Sequence, residues 1–346
     1  LKLAMDDELP SSVATGILES MEDSGIKPGP RSYQYALRMM VRSGEMQDAA
    51  DVIRKMESLG MQPDGSAYEQ LVQGLAERED IDMSLVMATQ ALKNGTKLGM
   101  GTLSYLLNAC TRKKAKHQGL KTFELITKSG LSITQEVYSA VIKCAVASGD
   151  LELSGRLLKE CLAKRHCPGV GTFNSILQLC AEQNSKQEAV RTLKRLQKAP
   201  VDADEESYRF LLQATATSGD LPLSTKVMQE MVALGYYPTL VSCNQLLALC
   251  ADQNARTEAI AVFKYMQMSS AAGLAPDAQS YENLIATAVG VNDTNFVVQV
   301  LKHMVSAGFA PTAARASELL DVCAQKRGQG AQVLSLYKLL QSIALQ

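Results

Sequence analysis

Residues 30–64 read PRSYQYALRMMVRSGEMQDAADVIRKMESLGMQPD, and the pattern of this stretch returns along most of the chain. An aromatic or similar apolar residue recurs at Tyr33, Tyr68, Leu103, Tyr138, Phe173 and Tyr208, and after Cys243 the series resumes three residues late at Tyr281. Pro28, Pro63, Pro168, Pro238, Pro276 and Pro311 close successive units. Self-similarity at a fixed period of 35 residues is the signature of a stacked repeat array. It overrides the two or three globular domains that a 346-residue chain would otherwise suggest.

Within the quoted unit, Ser32 is a candidate cap for a helix in which Tyr33, Ala36, Leu37, Met40 and Val41 cover one broad face. Ser43 and Gly44 stop it. A second amphipathic stretch runs from Met46 to Leu59, with Ala49, Val52, Ile53 and Met56 at helical spacing. Gly60 tolerates the left-handed conformation that ends this helix, and Pro63 prevents its resumption. Each unit is therefore expected to be a helical hairpin. Neither helix buries its apolar face alone, so successive hairpins must stack. Ala49, Ser84, Gly119, Ser154, Ala189, Ser224 and Ala259 share one register, where small residues let helices approach closely. Met56, Met231, Met266 and Met304 share another and read as core.

The units fall as a partial repeat at 1–29, six 35-residue repeats over 30–239, a repeat with a three-residue insertion at 240–277, a repeat at 278–312 and a C-terminal repeat at 313–346. The insertion is assigned to Ser269, Ser270, Ala271 and Ala272. Apolar residues make up 46% of the chain, which is enough to bury, and the net charge of -1 supplies no global field toward nucleic acid or membranes. No apolar stretch reaches the roughly 18 residues of a membrane-spanning helix, so no membrane insertion is expected. The chain is inside a repeat by Ala14, and a targeting peptide is not expected within it.

A 35-residue helical hairpin closing on Gly60-Met61-Gln62-Pro63-Asp64 or Gly273-Leu274-Ala275-Pro276-Asp277 resembles the pentatricopeptide repeat family over essentially the whole chain. The resemblance implies an all-α, right-handed α-solenoid superhelix of about nine and a half repeats. It also implies binding of single-stranded RNA, one base per repeat, in a mitochondrial matrix or plastid stroma. In this family the fifth and last residues of a unit face the base edge, the second packs on the base plane, and a basic thirteenth residue often meets phosphate. The fifth and last residues here match a standard combination twice, as Asn174 with Asp204 and Asn244 with Asp277, which by the resemblance favours uracil. Only Val241 is a branched aliphatic second residue, and Arg42 and Arg112 are the basic thirteenth residues. Glu69, Glu136, Glu206 and Glu282 are expected to line part of the groove and repel phosphate.

The densest basic run, Arg112, Lys113, Lys114 and Lys116 with His117 and Lys121, is either a phosphate grip or a solvated turn. Cys110, Cys180, Cys250 and Cys323 recur at one position and read as small core residues, and no Cys-x-x-Cys pair supports zinc. The family's deaminase motifs and phosphate-binding glycine loops are absent from the sequence, so no cofactor and no catalysis is expected. The drift of the base-reading positions favours a noncatalytic, RNA-associated scaffold subunit of an organellar ribonucleoprotein, such as a ribosome, with a weak uracil preference and protein subunits as partners. The alternatives are a free sequence-specific RNA-binding factor acting on transcript stability, processing or translation, and a protein-binding scaffold without RNA contact.

Overall fold

A computed structural model of the chain describes residues 11–268 and 274–312, with the further positions 314–317, 319, 334 and 338. The insertion at 269–272, the ninth unit with Cys323, and residues 1–10 of the partial repeat lie largely or wholly outside the described residues. All regular structure among the described residues is helical.

The chain divides into two compact units, residues 1–172 and 173–346. The first contains α1 (Ser11–Asp23), α2 (Pro30–Ser43), α3 (Met46–Ser58), α4 (Gly65–Glu77), α5 (Ile81–Lys93), α6 (Met100–Arg112), α7 (Lys116–Lys128), α8 (Gln135–Ala147) and α9 (Leu151–Ala163). The division falls inside α10 (Val170–Glu182). The second unit continues with α11 (Lys186–Lys198), α12 (Glu205–Thr217), α13 (Leu221–Ala233), α14 (Leu240–Asp252), α15 (Arg256–Met268), α16 (Ala278–Gly290) and α17 (Thr294–Ser306). Within each unit a helix packs on its hairpin partner, and the first helix of one hairpin packs on the first helix of the next, as α6 does on α8 and α14 on α16. This is the solenoid arrangement expected from hairpins that cannot bury their faces alone.

The recurring aromatic positions form the core. Tyr33, Tyr68, Leu103, Tyr138 and Phe173 are fully buried, and Tyr208 and Tyr281 nearly so. A buried phenol needs a partner. Tyr33 Oη donates to Glu22 at 3.1 Å, Tyr138 Oη to Glu160 at 2.9 Å, and Tyr68 Oη to Glu57. Ala49, Ser84, Ser154, Ala189, Ser224 and Ala259 are fully buried, as are Met56, Met231, Met266 and Met304. At Gly119 an added Cβ would stand 2.6 Å from Cys144 Sγ, so that crossing admits no side chain.

One local expectation changes. Ser32 does not cap α2. Pro30 occupies the first helical position behind Gly29, because its fixed φ is already helical and it has no amide to leave unbonded, and Ser32 falls within the first turn. Gly44 and Gly60 end their helices at φ +80° and +71°, the left-handed region that glycine enters without a Cβ clash.

A finer rhythm overlies the single repeat. Asp80, Asp150, Asp220 and Asp293 cap the second helix of alternate hairpins, accepting from Met83 N, Leu153 N, Leu223 N and Phe296 N at 2.9 to 3.1 Å. Three of these caps also take a cation from the hairpin before: Lys116 to Asp150 at 2.8 Å, Lys186 to Asp220 at 3.0 Å and Arg256 to Asp293 at 2.9 Å. Each such aspartate closes a helix end and ties two hairpins together, so the clasped module is a pair of repeats.

Asp220→Ala removes cap and clasp together and is expected to lower unfolding free energy by about 1–2 kcal/mol. Lys186→Met keeps the cap and should cost less than about 1 kcal/mol. The Lys186 ammonium, and then Leu223 N–H, hold the Asp220 carboxyl below its ordinary value. Its contribution is therefore complete above the unfolded-state pKa of about 4 and is lost as pH falls through the lower folded-state value. Urea unfolding of wild type and Asp220→Asn between about pH 7 and about pH 3 should show the two curves converging in acid.

Candidate nucleic-acid interface

The amide groups that open each first helix need acceptors, and the residue closing the preceding 35-residue unit stands at the N-cap. Asp64, Gly99, Thr134, Asp204, Thr239 and Asp277 hold this position for α4, α6, α8, α12, α14 and α16. The fifth residue of the unit before reaches toward the same spot from its own first helix.

At one such junction Asn174 Nδ2 donates to Asp204 Oδ1 and Oδ2 at 3.0 and 3.2 Å. Ser207 Oγ donates to Asn174 Oδ1 at 2.6 Å, and Ser207 N donates to Asp204 Oδ1 at 2.9 Å. Asn174 is 4% exposed. Two hairpins further on the arrangement repeats. Asn244 Nδ2 lies 3.1 and 3.3 Å from Asp277 Oδ1 and Oδ2, Ser280 Oγ donates to Asn244 Oδ1 at 2.6 Å, and Ser280 N donates to Asp277 Oδ1 at 2.8 Å. Asn283 Nδ2 adds a bond to Asn244 O at 2.9 Å.

The serine hydroxyl fixes the asparagine amide so that its NH2 group faces the aspartate. The amide NH2 is shared between the two carboxylate oxygens. Burial opposes ionisation of Asp204 and Asp277, but the asparagine and serine hydrogen bonds outweigh it and hold both carboxyls below the ordinary aspartate value. A donor next to an acceptor is the complement of a uracil carbonyl next to its N3–H. Val241, three residues before Asn244, is 66% exposed, an unusual state for a branched aliphatic side chain and a suitable one for meeting a base plane. The second residue of every other described unit is exposed too, but those residues are Arg31, Ser66, Gly101, Glu136, Gly171, Glu206, Gln279 and Ala314.

Elsewhere the fifth residue is engaged differently. Glu69 Oε1 accepts from Gly99 N at 2.6 Å, because a closing glycine brings no side chain to its helix end. Glu282 Oε1 accepts from Thr312 N at 2.8 Å, Glu282 Oε2 accepts from Arg315 Nε at 3.1 Å, and the residue is 9% exposed. These two glutamates therefore do not line the face as free charges, contrary to the expectation from sequence. Glu136 and Glu206 remain exposed, and Arg209 neutralises Glu206 at 3.0 Å.

The basic run is largely tied down. Lys113 pairs with Glu79 and Lys116 with Asp150, the guanidinium of Arg112 lies 5.8 Å from the Tyr105 ring centre, and Lys114 occupies a left-handed turn at φ 55°. Arg42 stands in the last turn of α2. Sequence reasoning missed the ninth residue of the six 35-residue repeats over 30–239, one helical turn after the fifth and facing the same way. Arg38, Gln73, Asn108, Lys143, Gln178 and Gln213 form this polar series. In the first unit Asn108 and Lys143 join Ser104, Ser139, Glu136 and Gly171 around an open recess of about 430 Å³. The i,i+4 relation to the fifth position was the available signal.

Cys110, Cys180 and Cys250 are fully buried, and burial pushes each thiol up to about 12, which makes them packing groups. Among the described residues no cluster of His, Cys, Asp and Glu has the composition of a metal site, and no helix is long and apolar enough to cross a membrane.

The profile of a family described as the pentacotripeptide-repeat region of PRORP matches residues 65–224 and 221–345, and a PPR repeat profile matches residues 31–61. This chain belongs to the pentatricopeptide repeat family. A mitochondrial pentatricopeptide repeat-containing protein of Arabidopsis thaliana is 24% identical over 307 residues, covering 88% of this chain and 38% of the relative. Human mitochondrial pentatricopeptide repeat-containing protein 1 is 21% identical over 203 residues, covering 56% of this chain and 29% of the relative. Among solved structures, the pentatricopeptide repeat protein PPR10 in complex with an 18-nt psaJ RNA element has 15% identity and a TM-score of 0.46, covering 96% of this chain and 56% of that one. The chain spans 38% or less of the length of such curated relatives.

In this pentatricopeptide repeat protein Ser280→Ala removes both the hydroxyl that orients Asn244 and a member of the helix cap. It should cost about 1–2 kcal/mol of stability in chemical unfolding. Ser242→Ala, at a cap that orients no asparagine, serves as the reference for the loss of the cap alone.

Proposed function

We propose that this protein is a noncatalytic, RNA-associated scaffold subunit of an organellar ribonucleoprotein, such as an organellar ribosome, and that it takes hold of single-stranded RNA at two uracil positions. The observation that carries this reading is the contrast among four junctions. At Asn174–Asp204 and Asn244–Asp277 an amide NH2 faces an anionic acceptor. Glu69 and Glu282 instead close helix ends. With one base per repeat, the two pairs read U-x-U, one nucleotide apart. Two sites are too few to select a transcript, yet enough to orient a strand held within a larger particle. Protein subunits then supply the remaining contacts. Relatives named as mitochondrial or chloroplastic support an organellar location.

Oligonucleotides carrying U-x-U should bind more tightly than those with either uracil replaced, by about fivefold or more per site given about 1–3 kcal/mol for a good bidentate base contact. Asn174→Ala and Asn244→Ala should each erase the dependence at one position only. Unchanged affinity after replacing both uracils would overturn base reading. Size fractionation of a native extract tests the scaffold role: co-migration with a ribosome-sized particle is expected, and migration as small RNase-sensitive complexes would contradict it.

A further inference from the structure

The thirteenth position, where a base-reading face meets phosphate, is basic only at Arg42 and Arg112 among the described units. A different register holds an uninterrupted series of cations. The twenty-second residue is Lys121 on α7, Arg156 on α9, Arg191 on α11 and Lys226 on α13, each 35 residues after the last. All four are exposed. Units on either side break the series with Asp51 and Val86 before it and Ala261 and Gln299 after it. One turn further along two of these helices, Lys159 and Lys194 are exposed as well.

These cations do not hold the hairpins together. That role falls to Lys116, Lys186 and Arg256, each clasped to an aspartate of the next hairpin. Lys121, Arg156 and Lys226 close no salt bridge among the described residues, and Arg191 reaches only Glu188 of its own helix, at 3.2 Å with 63% of its side chain exposed. On α11 five basic residues face a single acid, Glu188. Exposed charges that tie no hairpin to the next are the footprint of a charged ligand.

We propose that in each compact unit the second helices form a phosphate-binding surface for double-stranded RNA, separate from the uracil-reading positions on the first helices. Lys121, Arg156 and Lys159 form it in the first unit, and Arg191, Lys194 and Lys226 in the second. The surface takes RNA in preference to an acidic protein because it is rich in lysine. Ile26, Leu59, Leu234, Tyr237, Val241 and Met268, large exposed apolar residues, lie off this register, and Val86 ends the row one hairpin before Lys121. Protein interfaces are built around aromatic and aliphatic anchors and are depleted in lysine, whereas nucleic-acid interfaces are polar and positive. Cations repeated once per hairpin meet a phosphate backbone at intervals and touch no base edge. Binding is therefore independent of sequence and set by the fixed backbone of an A-form duplex. The inference rests on the reading of the protein as RNA-associated and assigns its second contact, through which the scaffold grips folded RNA while a single strand occupies the first helices.

The test uses the full chain, a mixed-sequence RNA duplex of about 16 base pairs, the span a double-strand-binding domain covers, and a single-stranded U-x-U oligonucleotide. Two double variants are compared with wild type: Lys121→Gln with Arg156→Gln, and Arg191→Gln with Lys226→Gln. All four side chains are exposed, and circular dichroism and unfolding confirm that the variants fold. Each double variant is expected to lower the slope of log affinity against log salt for the duplex by about 2 and to weaken duplex binding about tenfold near physiological salt. Affinity for the single strand should stay within about twofold, the scale expected of a charge change away from the binding site.

Unchanged duplex affinity and slope in both variants would overturn the proposal, as would equal losses for duplex and single strand, which would indicate one shared site. So would loss of an acidic protein partner with duplex binding intact. A wild-type protein that binds the single strand but no duplex rejects this surface and leaves the uracil reading standing. Loss of uracil dependence with the duplex result intact rejects base reading alone.

Discussion

The start of each first helix is the constraint on which the rest of this molecule turns. Its opening amides have no partner within the helix and must be met from outside. At Asp64, Asp204, Thr239 and Asp277 the side chain of the closing residue meets one of them. Asp204 accepts from Ser207 N while receiving Asn174, and Asp277 does the same with Ser280 and Asn244. At Gly99 and Thr312 the fifth residues Glu69 and Glu282 are the acceptors, taking the backbone amide of the closing residue.

The aspartate clasps extend this logic to the second helices. Asp150, Asp220 and Asp293 each satisfy a helix end and a cation from the neighbouring hairpin, and they do so only in alternate units. The asparagine–aspartate pairs begin in the other set, at Asn174 and Asn244. Two of the three repeats that donate the clasping cation, those of Lys186 and Arg256, also carry an asparagine at the fifth position, whereas the repeat of Lys116 carries Ser104 there. A two-hairpin module cross-linked at its second helices is the structural element that recurs.

Much of the fold was legible because its causes are local. A buried ring such as Tyr138, a left-handed Gly44 or Gly60, and a small residue at Ala189 each act through neighbours a few residues away or through a contact repeated every 35 residues. Ser32 shows where local reading was incomplete, since Pro30 two residues earlier had already set the helix start. The candidate site was less legible. Glu69 and Glu282 look like groove-lining charges in the sequence, yet their acceptors are committed to backbone amides 30 residues on. The basic run at Arg112 to Lys116 looks free, and its lysines at Lys113 and Lys116 are paired with acids from adjacent hairpins.

The amino-acid sequence by itself determined the helices, their pairing into hairpins and the family, since periodicity and turn residues act over short distances and repeat. Which side chains remain free to meet a ligand was decided by tertiary structure. Stacking sets residues some 30 to 36 positions apart within hydrogen-bonding reach, and only then does a carboxylate become a cap, a clasp or an open acceptor.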